Sequence, residues 1–94
     1  MPILQIEHKV PDYADWKKAF DSDPINRKKS GVTQYRIYRP AGDPNYVIID
    51  LEFGNMKDAE TALAALQKLW GTVQGKVMVN PQTRILDMVE SIEL

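Results

Sequence analysis

In the stretch from Ile3 to Val10, every second residue from Leu4 onward is apolar except His8, and the residues between them are polar. This period of two predicts a β-strand, because successive side chains of a strand point to opposite faces of a sheet. Pro11 cannot donate a sheet hydrogen bond and ends the strand, and Asp12 can cap a helix that follows it. One face of the strand is apolar and carries the only histidine of the chain, and the helix has an aromatic face. These two faces consist of Leu4, Ile6, His8 and Val10 on the strand and Tyr13, Trp16 and Phe20 on the helix.

A second, short helix is predicted after the first one. Pro24 suits the first turn of a helix, and Gly31 can adopt the left-handed backbone that ends one. The first helix is therefore expected to break near Asp23–Pro24. The basic run at residues 27–29 would then be the solvent-exposed end of the short helix, and an anion site is the alternative interpretation.

The middle of the chain predicts an antiparallel hairpin. Val32 to Arg39 is rich in β-branched and aromatic residues, and Tyr46 to Phe53 has an almost purely apolar face. The segment between them, residues 40–45, contains two prolines, a glycine, an aspartate and an asparagine. Such a short turn joins antiparallel neighbours.

A long helix and a last strand complete the pattern. Asn55 and Asp58 resemble a capping box, and apolar residues follow at helical spacing until Gly71, the predicted end of the helix. Residues 72–82 fit either a short helix or a loop. Thr83 to Glu93 is predicted as the final strand.

The order β-α-β-β-α-β is that of a ferredoxin-like α+β fold, and residues 1–94 form a single domain. Right-handed crossovers place both helices on one face of a four-stranded antiparallel sheet. The opposite face would be uncovered in one chain, and several large apolar groups would lie on it. We therefore expect a homodimer in which two such faces pack together. The apolar and aromatic residues predicted on this face are Ile3, Tyr38, Tyr46, Ile48 and either Ile85 or Val89.

The composition narrows the classes of function. A net charge of −1 gives no electrostatic reason to expect a nucleic acid or an anionic membrane as a partner. With one histidine and no cysteine, neither a metal site nor a disulfide is expected. The start of the chain does not have the pattern of a signal peptide, and no apolar run is long enough to span a bilayer, so a cytoplasmic protein is expected.

Three stretches resemble the dimeric α/β-barrel proteins, which include the antibiotic-biosynthesis monooxygenase-like and the small bacterial cyclase-like proteins. These stretches are HKVPDYADWKKAFDSDP, YRIYRPAGDPNYVIIDLEF and LQKLW. The resemblance implies a homodimer with a pocket between sheet and helices in each subunit. The superfamily includes cofactor-independent monooxygenases, haem-degrading enzymes, isomerases and sensing modules. The second long helix lacks the histidine that a haem-degrading member would use, and no cofactor is expected.

His8 is the strongest catalytic candidate, because a histidine is the usual general base near neutral pH. Tyr35 could donate a hydrogen bond to a substrate oxygen. For each of them, packing in the core is the alternative interpretation. The residues expected to line a ligand pocket are Trp16, Phe20, Trp70 and Met78.

The sequence is compatible with three hypotheses for the function. The first is a cofactor-independent monooxygenase, or a cyclase- or isomerase-like enzyme, acting on a small apolar cyclic molecule. The second is a non-catalytic small-ligand-binding or stress-related module that uses the same pocket. The third is a structural dimer with a filled core. A cavity beside His8 would favour the first two hypotheses.

Overall fold

The computed structural model describes residues 1–73 and 79–94. The four strands form one antiparallel sheet in the order β2-β3-β1-β4, and both helices pack against the same side of it. This confirms the predicted ferredoxin-like α+β fold. The elements in chain order are β1 (Pro2–Lys9), α1 (Tyr13–Asp21), β2 (Val32–Tyr38), β3 (Tyr46–Phe53), α2 (Met56–Val73) and β4 (Val79–Asp87).

The hydrophobic core lies between the sheet and the two helices. Leu4 is paired with Leu51 and His8 with Val47 across β1 and β3, and paired residues share a face of the sheet. Each large apolar side chain buried here stabilises the fold by about 1.5–3 kcal/mol. The core consists of Leu4, Ile6, Val10, Val47, Ile49, Leu51 and Phe53 on the sheet side and Trp16, Ala59, Ala62, Leu66 and Trp70 on the helices.

Both helices begin at the residues that the sequence indicated. The carboxylate of Asp12 accepts hydrogen bonds from the amides of Ala14 at 2.8 Å and Asp15 at 3.3 Å. At the start of α2, the Asn55 side chain accepts from the amide of Asp58 at 2.8 Å and donates to its carboxylate at 3.1 Å. These caps satisfy amides that have no partner within the helix and so fix where each helix starts.

The predicted short helix after Pro24 is wrong. Residues 22–31, which we call the α1–β2 segment, form a series of turns. Asp23 and Asn26 both have a left-handed backbone, with φ of 53° at each, which is incompatible with a continuous right-handed helix. The Asp23 carboxylate accepts a hydrogen bond from the amide of Arg27 at 2.8 Å and holds the turn.

The predicted ends of α2 and β4 also differ from the structure. Gly71 keeps a helical backbone, and α2 continues to Val73. β4 ends at Asp87, which is paired with Pro2, the first residue of β1. Beyond that pair β4 has no partner on β1, so the strand cannot extend to Glu93.

The register of β4 corrects the composition of the uncovered face of the sheet. Ile85 is paired with Leu4 and therefore faces the core, whereas Leu86 is paired with Ile3 and faces the other side. The expectation of Ile85 or Val89 on the uncovered face is thus wrong, since Val89 lies beyond the strand. We call this side, opposite the helices, the open face.

A network of polar side chains lies on the open face. Gln5 donates to the carboxylate of Asp50 at 3.0 Å and accepts from Arg84 at 3.0 Å. Arg84 also pairs with Glu7 at 3.3 Å. Apolar and aromatic side chains surround this network: Ile3, Tyr38, Tyr46, Ile48 and Leu86.

Neither helix in the described part of the chain is long and apolar enough to cross a membrane.

Candidate functional site

A cavity of about 210 Å³ lies beside His8, between the sheet, the two helices and the α1–β2 segment. A cavity of about 150 Å³ suffices for benzene, so this one fits a compact molecule of one or two rings. Its walls are mainly apolar, with three polar side chains among them. The lining residues are Ile6, His8, Trp16, Ala19, Phe20, Ser22, Pro24, Ile25, Arg27, Ile49, Leu51, Leu66, Leu69 and Trp70.

His8 is fixed by the strand that carries it. Its side chain is 2% exposed, and its Nδ1 lies 3.0 Å from the carbonyl oxygen of Lys9. A carbonyl oxygen can only accept, so Nδ1 carries the proton of the neutral ring and Nε2 carries the lone pair. The Trp16 ring packs edge-on against the imidazole, with centroids 5.9 Å apart. The ring therefore has one orientation and one tautomer, with Nε2 as its basic atom.

The charge state of His8 follows from its burial. Burial lowers the pKa of the His8 ring below 6.5, because a charged imidazolium is poorly solvated there. The hydrogen bond to the Lys9 carbonyl acts in the opposite direction and is the smaller effect. At neutral pH the ring is thus neutral and can accept a proton.

A row of aromatic rings runs along α1 and ends on β2. The centroids of Tyr13 and Trp16 are 5.7 Å apart, and those of Trp16 and Phe20 are 5.2 Å apart. Phe20 then meets Tyr35 edge-on at 5.2 Å. Trp16 and Phe20 line the cavity on this side, and Trp70 of α2 lines it as well.

The residues predicted for the site do not all meet there. His8, Trp16, Phe20 and Trp70 line one cavity. Tyr35 is 43% exposed and contacts the outer side of Phe20 instead of lining the cavity. Its predicted catalytic role stays a prediction, and Met78 lies outside the described residues.

Arg27 is a charged lining residue that the sequence pattern did not place in the cavity. The pattern favours the solvent-exposed end of a short helix for the basic run, with an anion site as the alternative, yet the Arg27 side chain is only 15% exposed and lines the cavity. Its guanidinium carbon lies 4.0 Å from the Phe20 ring centroid and 5.1 Å from that of Tyr35. Arg27 directly follows Asn26, whose backbone is left-handed with φ of 53°, so it lies on no regular helix or strand whose periodicity would place its side chain.

The described residues contain no group of three or more His, Cys, Asp or Glu side chains that could hold a metal ion. The cavity and the His8 side chain can perform two chemical tasks. The apolar walls can enclose a compact ring molecule, and Nε2 of His8 can accept a proton from a molecule bound beside it.

No protein-family model matches the sequence, and no curated protein matches it either. Several solved structures do share its fold. SnoaB from Streptomyces nogalater, described as a cofactor-independent oxygenase, has a TM-score of 0.78 at 12% identity, over 97% of this chain and 95% of that one. A dimeric ferredoxin-like protein from an uncultured marine organism has a TM-score of 0.67 at 14% identity, over 97% of each chain. A protein described as an antibiotic biosynthesis monooxygenase has a TM-score of 0.69 at 10% identity, over 96% of this chain and 100% of that one.

These likenesses extend over nearly the whole length of each chain. They match the resemblance seen in the sequence, since the similar structures are monooxygenase-like and dimeric ferredoxin-like proteins. At such low identities the likeness establishes the fold.

Proposed function

We propose that this protein is a cofactor-independent oxygenase of a small, electron-rich ring compound, with His8 as the general base. The observation that carries the proposal is a neutral histidine of fixed tautomer on the wall of an otherwise mainly apolar cavity. A base of this kind can remove the proton of a phenol or an enol bound beside it.

The reaction needs no external reductant when the substrate itself supplies the electrons. After His8 removes the proton, the electron-rich anion gives electrons to O₂, and one oxygen atom forms a bond to a ring carbon. Loss of water then converts a CH₂ group of the keto form and O₂ into a C=O group and H₂O. The protein's contribution is to orient the ring, exclude bulk water and hold the proton at Nε2.

The fold is compatible with this chemistry, because SnoaB, which shares it, is described as a cofactor-independent oxygenase. A cavity of about 210 Å³ limits the substrate to a molecule near the size of a bicyclic phenol.

The proposal is tested by oxygen uptake with 1-naphthol in buffer treated with a chelator. We expect one O₂ to be consumed for each 1,4-naphthoquinone formed. His8→Asn keeps an N–H group for the Lys9 carbonyl but lacks the base, so kcat should fall by about 10²–10⁴-fold.

Lys18→Asn is the matched control, because Lys18 is exposed on α1 and lies outside the cavity lining. This variant should keep the wild-type rate. Quinone formation no faster than in buffer alone, with 1-naphthol shown to be bound, would reject the oxygenase.

The second candidate function is binding of a small molecule without turnover. The lowered pKa of His8 favours this candidate, because the burial that lowers the pKa also makes His8 a weaker base. The two candidates differ in the O₂ uptake of the wild type, which an oxygenase shows and then loses in His8→Asn. A binding module should hold 1-naphthol with nearly unchanged affinity in wild type and variant and consume no O₂ in either.

We also propose that two copies pack their open faces together. The apolar and aromatic groups around the polar network favour this, as do the exposed side chains of Met88, Val89 and Ile92 that follow β4. Two solved structures of the same fold are described as dimeric ferredoxin-like proteins. Light scattering should then give twice the chain mass of 10.7 kDa.

A further inference from the structure

The cavity contains one permanently charged side chain among its described lining residues, and that side chain is Arg27. Its guanidinium lies over the Phe20 ring at 4.0 Å and near the Tyr35 ring at 5.1 Å. Cation–π contacts with two rings hold the flat group in place at the edge of the aromatic row. The position of this charge is therefore set by packing as well as by hydrogen bonds.

Few of the guanidinium donors are used by the protein. Nη1 donates to the carbonyl oxygen of Phe20 at 2.7 Å and lies 3.6 Å from the Asp23 carboxylate. Within residues 1–73 and 79–94, Nε and Nη2 of Arg27 make no hydrogen bond. A guanidinium carries five N–H donors in a planar fork, so Arg27 keeps donors for a planar anion.

The surroundings do not fully neutralise Arg27. Asp23, its one carboxylate partner among the described residues, is 36% exposed and lies beyond ideal hydrogen-bond distance, so water screens that pair. None of the described lining residues of the cavity is acidic, and His8 is neutral at neutral pH. The cavity thus combines apolar walls with a net positive charge near Phe20.

We propose that Arg27 makes the cavity selective for a compact aromatic acid: a ring that packs in the cavity lined by Trp16 and Trp70 and carries a carboxylate that pairs with the guanidinium. The proposal rests on the proposed function only in placing the ligand in this cavity. It names a specificity-determining residue and an anionic class of ligand for the site.

Binding of a matched pair of probes to the full chain tests this inference. 2-Naphthoate and 2-naphthamide have the same ring and nearly the same size, but only the first carries a charge at pH 7.5. Titration calorimetry should show the acid binding at least about tenfold more tightly, because a hydrogen bond to a charged group is stronger than a neutral one.

Two substitutions should change the preference in opposite directions. Arg27→Met keeps an unbranched stem against the rings, so the acid should fall to the affinity of the amide while amide binding changes little. Asp23→Asn keeps the oxygen that accepts from the Arg27 amide but removes the competing charge. The acid should then bind several-fold more tightly than in the wild type.

Lys28→Met removes an exposed charge from the same segment and should change neither affinity. Equal affinity for acid and amide in the wild type would overturn the inference while leaving the pocket and the proposed function intact. An equal loss of both ligands in Arg27→Met would assign Arg27 a purely structural role. If that variant fails to fold, the wild-type preference and Asp23→Asn decide the question. If neither probe binds the wild type, the inference about Arg27 is overturned, and the separate 1-naphthol assay decides the proposed function.

Discussion

At the level of a single residue, the burial of His8 has two opposing effects on its role as a base. Burial keeps the ring neutral and ready to accept a proton, but the same burial makes the protonated ring costly. In the proposed oxygenase, protonation of His8 must therefore be brief or be compensated by a negative charge on the substrate. An acidic ring compound beside Arg27 would supply such a charge.

The pKa of His8 predicts how stability depends on pH. In the unfolded chain the ring has its ordinary pKa of about 6.5, and in the folded chain the pKa is lower. Between these two values the unfolded chain binds more protons, so stability is fully present above pH 6.5 and falls as the pH drops toward the folded pKa. His8→Asn removes this contribution, so its stability should be less sensitive to pH in that window.

Urea denaturation of wild type and His8→Asn at pH 7.5, 6.5 and 5.5 measures the difference. The wild type should lose, relative to the variant, about 1.4 kcal/mol for each unit by which its pKa is lowered. Because the carboxylates are common to both proteins, their contribution cancels in the comparison. Parallel stability curves over this range would contradict the assignment of a lowered pKa.

Gly31 is a point where two elements meet, because it comes directly before β2 and lies against the first turn of α2. Its φ is +97°, and a Cβ there would lie 2.6 Å from the Asp58 carboxylate oxygen and 3.1 Å from the Asp58 Cβ. The Asp58 side chain could move away only by losing its hydrogen bond with Asn55, which caps α2. The glycine is thus required both by the backbone angle and by the close approach.

Gly31→Ala should destabilise the protein more than Gly42→Ala. Gly42 has φ of +86°, but a Cβ there would meet no other described residue within 4 Å, so alanine at this position meets backbone strain alone, about 1–2 kcal/mol. At Gly31 the loss of the side-chain hydrogen bond between Asn55 and Asp58 adds about 1 kcal/mol to a similar strain. The free energies of unfolding from urea melts test the order, and equal losses at both positions would contradict the contact with Asp58.

At the level of elements, the sequence correctly predicted the features that depend on neighbouring residues, such as the helix caps. Asp12 and Asn55 cap their helices as the sequence indicated, because a cap depends on residues within one turn of it. The register of β4 depends instead on pairing with a distant strand. Ile85 and Leu86 are both apolar, so their pattern could not decide which faces the core, and a shift of one residue exchanges the faces.

Only the part of the site that lies on regular strands and helices could be predicted from the sequence. His8 and Trp16 lie on regular elements whose faces follow from periodicity, so their neighbourhood could be inferred. Arg27 lies in a series of turns that contains two left-handed residues, Asp23 and Asn26. Periodicity carries no information about such a segment, and the inward arginine was therefore missed.

The molecule as a whole is flat, with extents of 34 × 32 × 19 Å. A thickness of 19 Å accommodates one sheet and one layer of helices, so the open face forms one entire side of the molecule. The apolar groups on that side favour association, whereas the network of Gln5, Asp50 and Arg84 adds polar partners that can fix the register of two copies.

Two tyrosines on β2 provide a matched test of the dimer. Tyr38 on the open face is 44% exposed, and Tyr35 on the helix side is 43% exposed, so the two substitutions compare similarly exposed positions on opposite faces of one strand. In the proposed dimer, Tyr38→Asp would bury a new carboxylate between the two copies, which costs several kcal/mol unless that charge is paired. Sedimentation equilibrium should show the dimer dissociating at a concentration at least about tenfold higher for Tyr38→Asp, while Tyr35→Asp keeps the wild-type value. Equal dissociation constants for all three proteins would place the contact away from the open face.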